Sequence, residues 1–342
     1  MTNLENIDWA HLPFGYMKTD YNVRCTFKDG KWGENEVTQD ETINLHMAAS
    51  CLHYGQEIFE GLKAFRGSDG KIRLFRPDEN AKRLQNSARG ILMEPLPEDI
   101  FMEMCKKVVK LNERFIPPYG SGSSLYLRPV EIGISPRVGV SPADEYTVII
   151  FVTPVGPYFK EGFHCTKVAI YREYDRAAPC GTGRWKVGGN YAAGMGATAR
   201  AKAAGYSAAL FLDPKEKKYL DECGPANFFI VKGNTYITPK SGSILPSITN
   251  MSLQQIARDL GMEVEARPIP LEELAEADEA AECGTAAVTA PISEVVDMDN
   301  DVHYVIRKDG SVGPKVTDLY NRLRAIQMGD YPDEHGWVVM VD

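Results

Sequence analysis

The sequence predicts an α/β protein of two domains: a small α+β domain over residues 1–153, a connector over 154–166 and a larger α/β domain over 167–342. Three observations predict this. At 342 residues the chain exceeds what one hydrophobic core usually serves. Patterns of helical and of strand period follow one another along its length. Pro154, Gly156 and Pro157 interrupt an apolar run where a boundary would fall.

Composition narrows the class. Hydrophobic residues make up 44% and charged residues 25%, enough apolar material for buried cores. The net charge of −9 argues against nucleic acid or an anionic membrane as partner, though not against a small anionic ligand. The longest apolar run, Val148 to Val155, contains Pro154 and is too short to span a bilayer. Met1 to Ala10 is polar and acidic, which predicts no secretory leader. Seven scattered cysteines without C-x-x-C fit a reducing cytoplasm. The six histidines never fall at i and i+4, and no metal site is expected.

In the first half, residues 21–50 read as strands and hairpins, and Ile72 to Phe75 as a strand. Pro77, Asp78 and Glu79 open a helix that carries Arg83, with Leu84, Ala88 and Ile91 on one face. Pro97 to Arg114 is a second helix, stopped by Pro117 and Pro118. Ser124 to Val130 is a strand on which Tyr126 and Arg128 point the same way. Arg137 to Pro142 is a loop, and Tyr146 to Thr153 a buried strand.

In the second half, Lys167 to Tyr171 is a strand leading into a glycine-rich loop. Ala208 to Leu212 and Tyr219 to Asp221 are short strands. Asn227 to Val231 and Thr235 to Thr238 form a hairpin across Lys232-Gly233-Asn234. Leu245 to Asn250 opens a helix that ends at Gly261. Leu271 to Ala277 is a short acidic helix, Ala280 to Thr289 a strand and glycine turn, and Val316 to Gln327 the last helix.

The chain is organised around Gly181-Thr182-Gly183-Arg184-Trp185-Lys186-Val187-Gly188-Gly189-Asn190-Tyr191, a lysine in a glycine-lined loop just before a helix. Desolvation and nearby positive charge, with Arg184 as the candidate neighbour, can make such a lysine a nucleophilic amine. A Schiff-base lysine usually partners pyridoxal phosphate, which asks for a carboxylate at its ring nitrogen and for an arginine and a helix N-terminus at its phosphate. Glu222, Arg83, Ile248 and Thr249 are candidates, and Thr285 and Ala286 offer adjacent N–H groups in a turn. Singly, each has a plainer structural reading.

Ordered motifs add weight. Lys186 to Tyr191 resembles the cofactor-lysine signature of the branched-chain amino acid aminotransferases, fold-type IV pyridoxal phosphate enzymes. Phe59 to Phe65, Phe75-Arg76-Pro77, Leu125 to Pro129, Thr153 to Phe159, Ile244-Leu245-Pro246, Gly284-Thr285-Ala286 and the tail Ile326 to Asp330 with Gly336-Trp337-Val338 match in the same order. The resemblance covers roughly residues 20 to 340. It implies a barrel-like mixed sheet in the larger domain.

The resemblance also implies roles. Lys186 bonds pyridoxal 5'-phosphate and carries the proton. Tyr191 meets the cofactor's phenolic oxygen, Glu222 its ring nitrogen, and Arg83, Ile248, Thr249 and Thr285 its phosphate. Tyr54, Phe59, Tyr126 and Tyr158 wall the side-chain pocket. Arg128 meets the distal carboxylate of glutamate, unless it is a structural arginine paired with Glu131. Thr285 and Ala286 meet the substrate, Ala286 through its N–H at the α-carboxylate. Gly139 and Val140 reach the partner's pocket in a homodimer. The implied reaction exchanges the amino group of leucine, isoleucine or valine with 2-oxoglutarate. Same-fold rivals are a D-amino acid aminotransferase and an aminodeoxychorismate lyase. Pro225 stands where the family often has threonine, and Ala287 and Ala290 stand where some members carry a redox C-x-x-C. Cys180 and Cys223 read as packing residues.

Overall fold

The structure, a computed structural model, describes residue 4 and residues 7–160 and 162–341. Part of the segment read as carrying no leader, residues 1–3, 5 and 6, lies outside the described residues. In chain order the strands and helices are β1 (Asn22–Lys28), β2 (Lys31–Trp32), β3 (Glu36–Thr38), α1 (Ser50–Tyr54), β4 (Glu57–Phe59), β5 (Leu62–Arg66), β6 (Ile72–Phe75), α2 (Pro77–Gly90), α3 (Glu98–Leu111), β7 (Ser124–Gly133) and β8 (Tyr146–Val155). There follow β9 (Thr166–Ile170), α4 (Gly188–Ala203), β10 (Ala208–Leu212), β11 (Leu220–Cys223), β12 (Asn227–Lys232), β13 (Thr235–Pro239), α5 (Ile248–Asp259), β14 (Glu263–Arg267), β15 (Glu279–Gly284), β16 (Val288–Asp297), β17 (Val302–Val305), α6 (Pro314–Met328) and β18 (Val338–Val341).

The chain forms two compact units. One comprises residues 1–160, 185–188 and 325–342, the other residues 161–184 and 189–324. The expected division placed Lys186 in the C-terminal domain. Its segment instead packs with the first unit, for reasons given below.

In the first unit an antiparallel sheet runs β18-β6-β5-β7-β8-β1-β2, with β3 on β1 and β4 on β7. β7 and β8 pair from Ser124↔Val155 to Gly133↔Tyr146, further than the sequence suggested. Pro154 lies inside β8 but beyond the last pairing with β1, at Val23↔Ile150, so its missing N–H costs no bond to β1. Leu84 and Ala88 of α2 and Phe101, Met104, Cys105 and Val108 of α3 bury their apolar stripes against Val23, Leu74, Leu125 and Ile150 of the sheet.

The second unit holds a mixed sheet, β11-β10-β9-β16-β15-β12-β13-β14, with β17 on β16. Parallel joins need crossovers, and helices supply two: α4 between β9 and β10, α5 between β13 and β14. α4 packs closely because its contact residues are small. Ala197 and Ala201 meet Tyr171 and Phe211, and a Cβ on Gly196 would lie 2.9 Å from the Tyr174 ring. The short acidic helix expected at 271–277 is a 3-10 turn, Leu271–Glu276. The sequence reading assigned no element to α1, β4, β5, β14, β17 and β18, and stopped at the start of β16. β14, Glu-Val-Glu-Ala-Arg, is largely exposed and carries little apolar signal.

Candidate active site

The lysine loop reaches the first unit through a series of close contacts. Trp185 lies so near Gly90 of α2 that a Cβ there would overlap its ring. The Lys186 N–H donates to Ser87 Oγ at 3.0 Å, and its carbonyl accepts from the Phe59 N–H at 3.1 Å. Val187 bridges to Ile58 and enters the first core. A Cβ on Gly188 would meet the Glu57 carboxylate, so the glycine brings the loop and that side chain close together.

Lys186 as a residue is half-buried, yet its ammonium is enclosed by protein and lies 4.5 Å from the centre of the Phe59 ring. Burial, then the Arg83 guanidinium, lower the amine from 10.5 to about 8. The sequence named Arg184 as the neighbouring cation. Arg184 is exposed and is not among the causes, so Arg83 takes that place.

Arg83 projects from α2 into a two-pronged pair with Glu60, Nε to Oε1 and Nη2 to Oε2, each 2.7 Å. Glu60 is fully buried and also accepts from Asn80 Nδ2 at 2.7 Å. Arg128 stacks over Phe59 at 5.0 Å and donates to the Tyr126 hydroxyl at 3.1 Å. Tyr126 fits because residue 61 is glycine: a Cβ there would overlap its hydroxyl oxygen. Arg128 has no pair with Glu131. Strand alternation sends the two side chains to opposite faces, and Glu131 is buried with neither oxygen bonded among the described residues.

Tyr126 and Arg128 line a cavity of about 220 Å³ with Phe14, Tyr16, Phe151 and Thr153. A larger hollow of about 480 Å³ lies beside Asn22, Arg24 and Glu41 and contains none of the candidate residues, so size alone does not locate the chemistry. The Tyr54 hydroxyl donates to the Val138 carbonyl. Val138 and Val140, around Gly139, are 90% and 86% exposed and open to an outside contact. The Tyr158 ring packs edge-on against Phe159 at 4.9 Å.

The second unit carries the remaining candidates. Glu222, near the end of β11, is 3% exposed. Its carboxylate is ion-paired with Arg176, whose Nη2 lies 2.6 Å from Oε1, and accepts from Asn227 Nδ2 at 2.7 Å and the Leu245 N–H at 2.9 Å. Burial nevertheless drives it up from 4.5 to about 7. Ile248 and Thr249 begin α5, where backbone N–H groups are available to an anion. The N-cap is Ser247, its hydroxyl accepting from the Asn250 N–H at 3.2 Å. Thr285 and Ala286 form the turn between β15 and β16, closed by Val288 at φ 68°, a strained conformation for a β-branched residue. Tyr191 lies half-buried in the first turn of α4. Cys223 is buried as expected, whereas Cys180 is exposed, a correction to its packing role.

The sequence reading missed Glu60, Phe14, Arg176 and Asn227. Glu60 sits inside the Phe59-Glu60-Gly61 motif, and that adjacency was the available signal. Phe14, whose ring lies 5.1 Å from Tyr126, and Arg176 carried no local signal.

Each unit carries donors of the kinds that a phosphorylated pyridine aldehyde demands: the first an amine of lowered basicity and a guanidinium, the second a buried carboxyl and a helix N-terminus. The amino-transferase class IV model matches residues 57–295. The branched-chain-amino-acid aminotransferase of Haemophilus influenzae is 45% identical over 99% of this chain and 100% of its own length. The fold superposes on the Escherichia coli branched-chain amino acid aminotransferase with a TM-score of 0.80 and 28% identity, over 95% of this chain and 100% of that one. It superposes on the branched-chain aminotransferase of the archaeon Thermoproteus uzoniensis, solved with norvaline, with a TM-score of 0.76 and 26% identity, over 94% and 100%. With its lysine loop, Gly-Thr-Ala turn and two sheets, the chain belongs to the class IV amino-transferases, in their branched-chain-amino-acid aminotransferase group.

Proposed function

We propose that the chain moves the amino group of L-leucine, L-isoleucine and L-valine to 2-oxoglutarate, giving branched-chain 2-oxo acids and L-glutamate. The carrying observation is the placing of Lys186 and Arg128 over one ring, Phe59. An amine of lowered basicity and a cation share an aromatic surface, so one pocket can take an apolar side chain or a carboxylate.

Pyridoxal 5'-phosphate supplies an aldehyde for amines and a ring that accepts electron density when the substrate Cα loses its proton. Lys186 Nζ would hold the aldehyde, and the same amine, of lowered basicity, would serve as the base that carries the proton of the substrate Cα. Glu222 supports the ring nitrogen and Tyr191 the phenolic oxygen. Arg83, the N–H groups of Ile248 and Thr249, and Thr285 hold the phosphate. Ala286 offers its N–H to the substrate carboxylate. Tyr54, Phe59, Tyr126 and Tyr158 exclude water from the side chain, and Arg128 receives the second carboxylate of glutamate. The exposed loop at Gly139 and Val140 supports a homodimer in which it enters the partner's pocket. The charge and cysteine pattern support a cytoplasmic enzyme.

Purified protein should be yellow and should form glutamate from L-leucine and 2-oxoglutarate. Turnover of D-alanine without turnover of L-leucine, or pyruvate release from aminodeoxychorismate, would replace this reading.

A further inference from the structure

Arg176 is a buried cation outside every motif named above. It is 5% exposed and follows β9 by six residues. Its guanidinium makes contacts with three separate segments of the second unit. Nη2 lies 2.6 Å from Glu222 Oε1, 2.8 Å from the Gly183 carbonyl and 2.6 Å from the Ser243 carbonyl. Gly183 must be glycine for this, because a Cβ there would overlap the Ser243 oxygen.

The opposite oxygen of Glu222 is fixed independently. Asn227 Nδ2 donates to Oε2, and Asn227 Oδ1 in turn accepts from Asn250 Nδ2 at 3.0 Å, in the first turn of α5. Oε1 is thus ion-paired with Arg176 and accepts from the Leu245 N–H, while Oε2 accepts from Asn227. A carboxylate offers about four acceptor positions, so one on Oε2 remains for an incoming N–H. Asp221 is the other carboxyl acting on Glu222, and it is occupied by the hydroxyls of Ser241 and Ser243.

We infer that Arg176 is a positioning residue that keeps Glu222 anionic and aimed, so that the proton shared with the cofactor's ring nitrogen stays on the nitrogen. This rests on the proposed pairing of Glu222 with that nitrogen. The physical argument concerns the proton's place. A carboxylate buried without a cation becomes more basic and draws the proton to itself. The guanidinium 2.6 Å away favours the charged form of the carboxylate against its burial, and so favours the proton's place on the ring nitrogen.

The test compares holoenzymes of the wild type, Arg176→Gln, Arg176→Lys and Glu222→Gln. NMR of cofactor labelled at the ring nitrogen reads its protonation, alongside kcat and KM. In the wild type the nitrogen should be protonated, and in Glu222→Gln it should not. Arg176→Gln should show partial or complete loss of that proton and a kcat lower by about tenfold or more, with KM moved less. Arg176→Lys keeps the charge but not the guanidinium's two bonds to the Gly183 and Ser243 carbonyls, and should keep the proton. It also carries the test should Arg176→Gln fail to fold: a deprotonated nitrogen in Arg176→Lys would overturn the charge argument. A protonated nitrogen in Glu222→Gln would overturn the Glu222 pairing and the inference with it. Loss of the proton in Glu222→Gln, with wild-type protonation and pH profile in Arg176→Gln, would overturn the role of Arg176 alone.

Discussion

Glu60 accepts both prongs of the Arg83 guanidinium at 2.7 Å and is itself fully buried, so the orientation of Arg83 is set by a carboxylate 23 residues earlier in the chain. A buried pair broken on one side leaves an uncompensated charge, at a cost of about 3–5 kcal/mol. Glu60→Gln should therefore lower the urea-unfolding free energy of the apo-protein by roughly that amount and weaken cofactor binding. Unchanged unfolding would mean that solvent or another acid takes over the guanidinium.

Lys186→Ala should abolish turnover and the yellow colour, since the bond to the aldehyde and the proton carrier go together. The lowered amine sets a pH dependence as well. Only the neutral amine attacks an aldehyde, so capture of pyridoxal phosphate by the apo-protein should speed up as pH rises through about 8. Between about 8 and 10.5 the folded protein binds fewer protons at this site than the unfolded chain, so its contribution to stability rises with pH there. Stopped-flow absorbance of wild type, and unfolding of Lys186→Met against pH, check both signs.

Arg128→Leu should separate the two half-reactions. A charge-assisted hydrogen bond is worth about ten- to a hundredfold in binding, and KM for glutamate and 2-oxoglutarate should rise by that factor. The leucine half-reaction, which needs only apolar contact there, should change little. Single-turnover absorbance follows each half separately. Equal losses in both would make Arg128 a support for Phe59 and Tyr126 rather than a specificity residue.

Glu131 gives a prediction about stability. It is wholly buried in β7, neither oxygen has a partner among the described residues, and burial first, then Glu94, raises its carboxyl well above 4.5. The folded state keeps a proton that the unfolded chain releases above its ordinary value, so this group's contribution to stability falls as pH rises past that value. Glu131→Leu should remove the slope and raise stability at mildly alkaline pH by about 1–3 kcal/mol. A steeper slope in the variant would show that the carboxyl is bonded in solution.

Most of the helices and strands were legible because their signals are local. Pro77 with two acids opens α2, alternation marks β7, and Gly233 turns the β12–β13 hairpin. The ordered motifs were legible because each lies within a few consecutive residues, and their resemblance to a known family, not the glycine-rich loop alone, implied the chemistry of Lys186. The weakly apolar strand β14 was not, since exposed strands carry no contrast between faces.

The sequence by itself determined which residues could do chemistry: an amine at 186, an acid at 222, cations at 83 and 128. Only the tertiary structure decided what surrounds them. Arg83 rather than Arg184 acts on Lys186 because α2 lies against the loop through Ser87 and Gly90, a contact across about a hundred residues. Arg176 meets Glu222 across 46 positions, and Glu60 meets Arg83 across two elements. No local period records such pairings. Burial and long-range hydrogen bonds set both the basicity and the direction of each group, and these exist only once the sheets have closed over their cores.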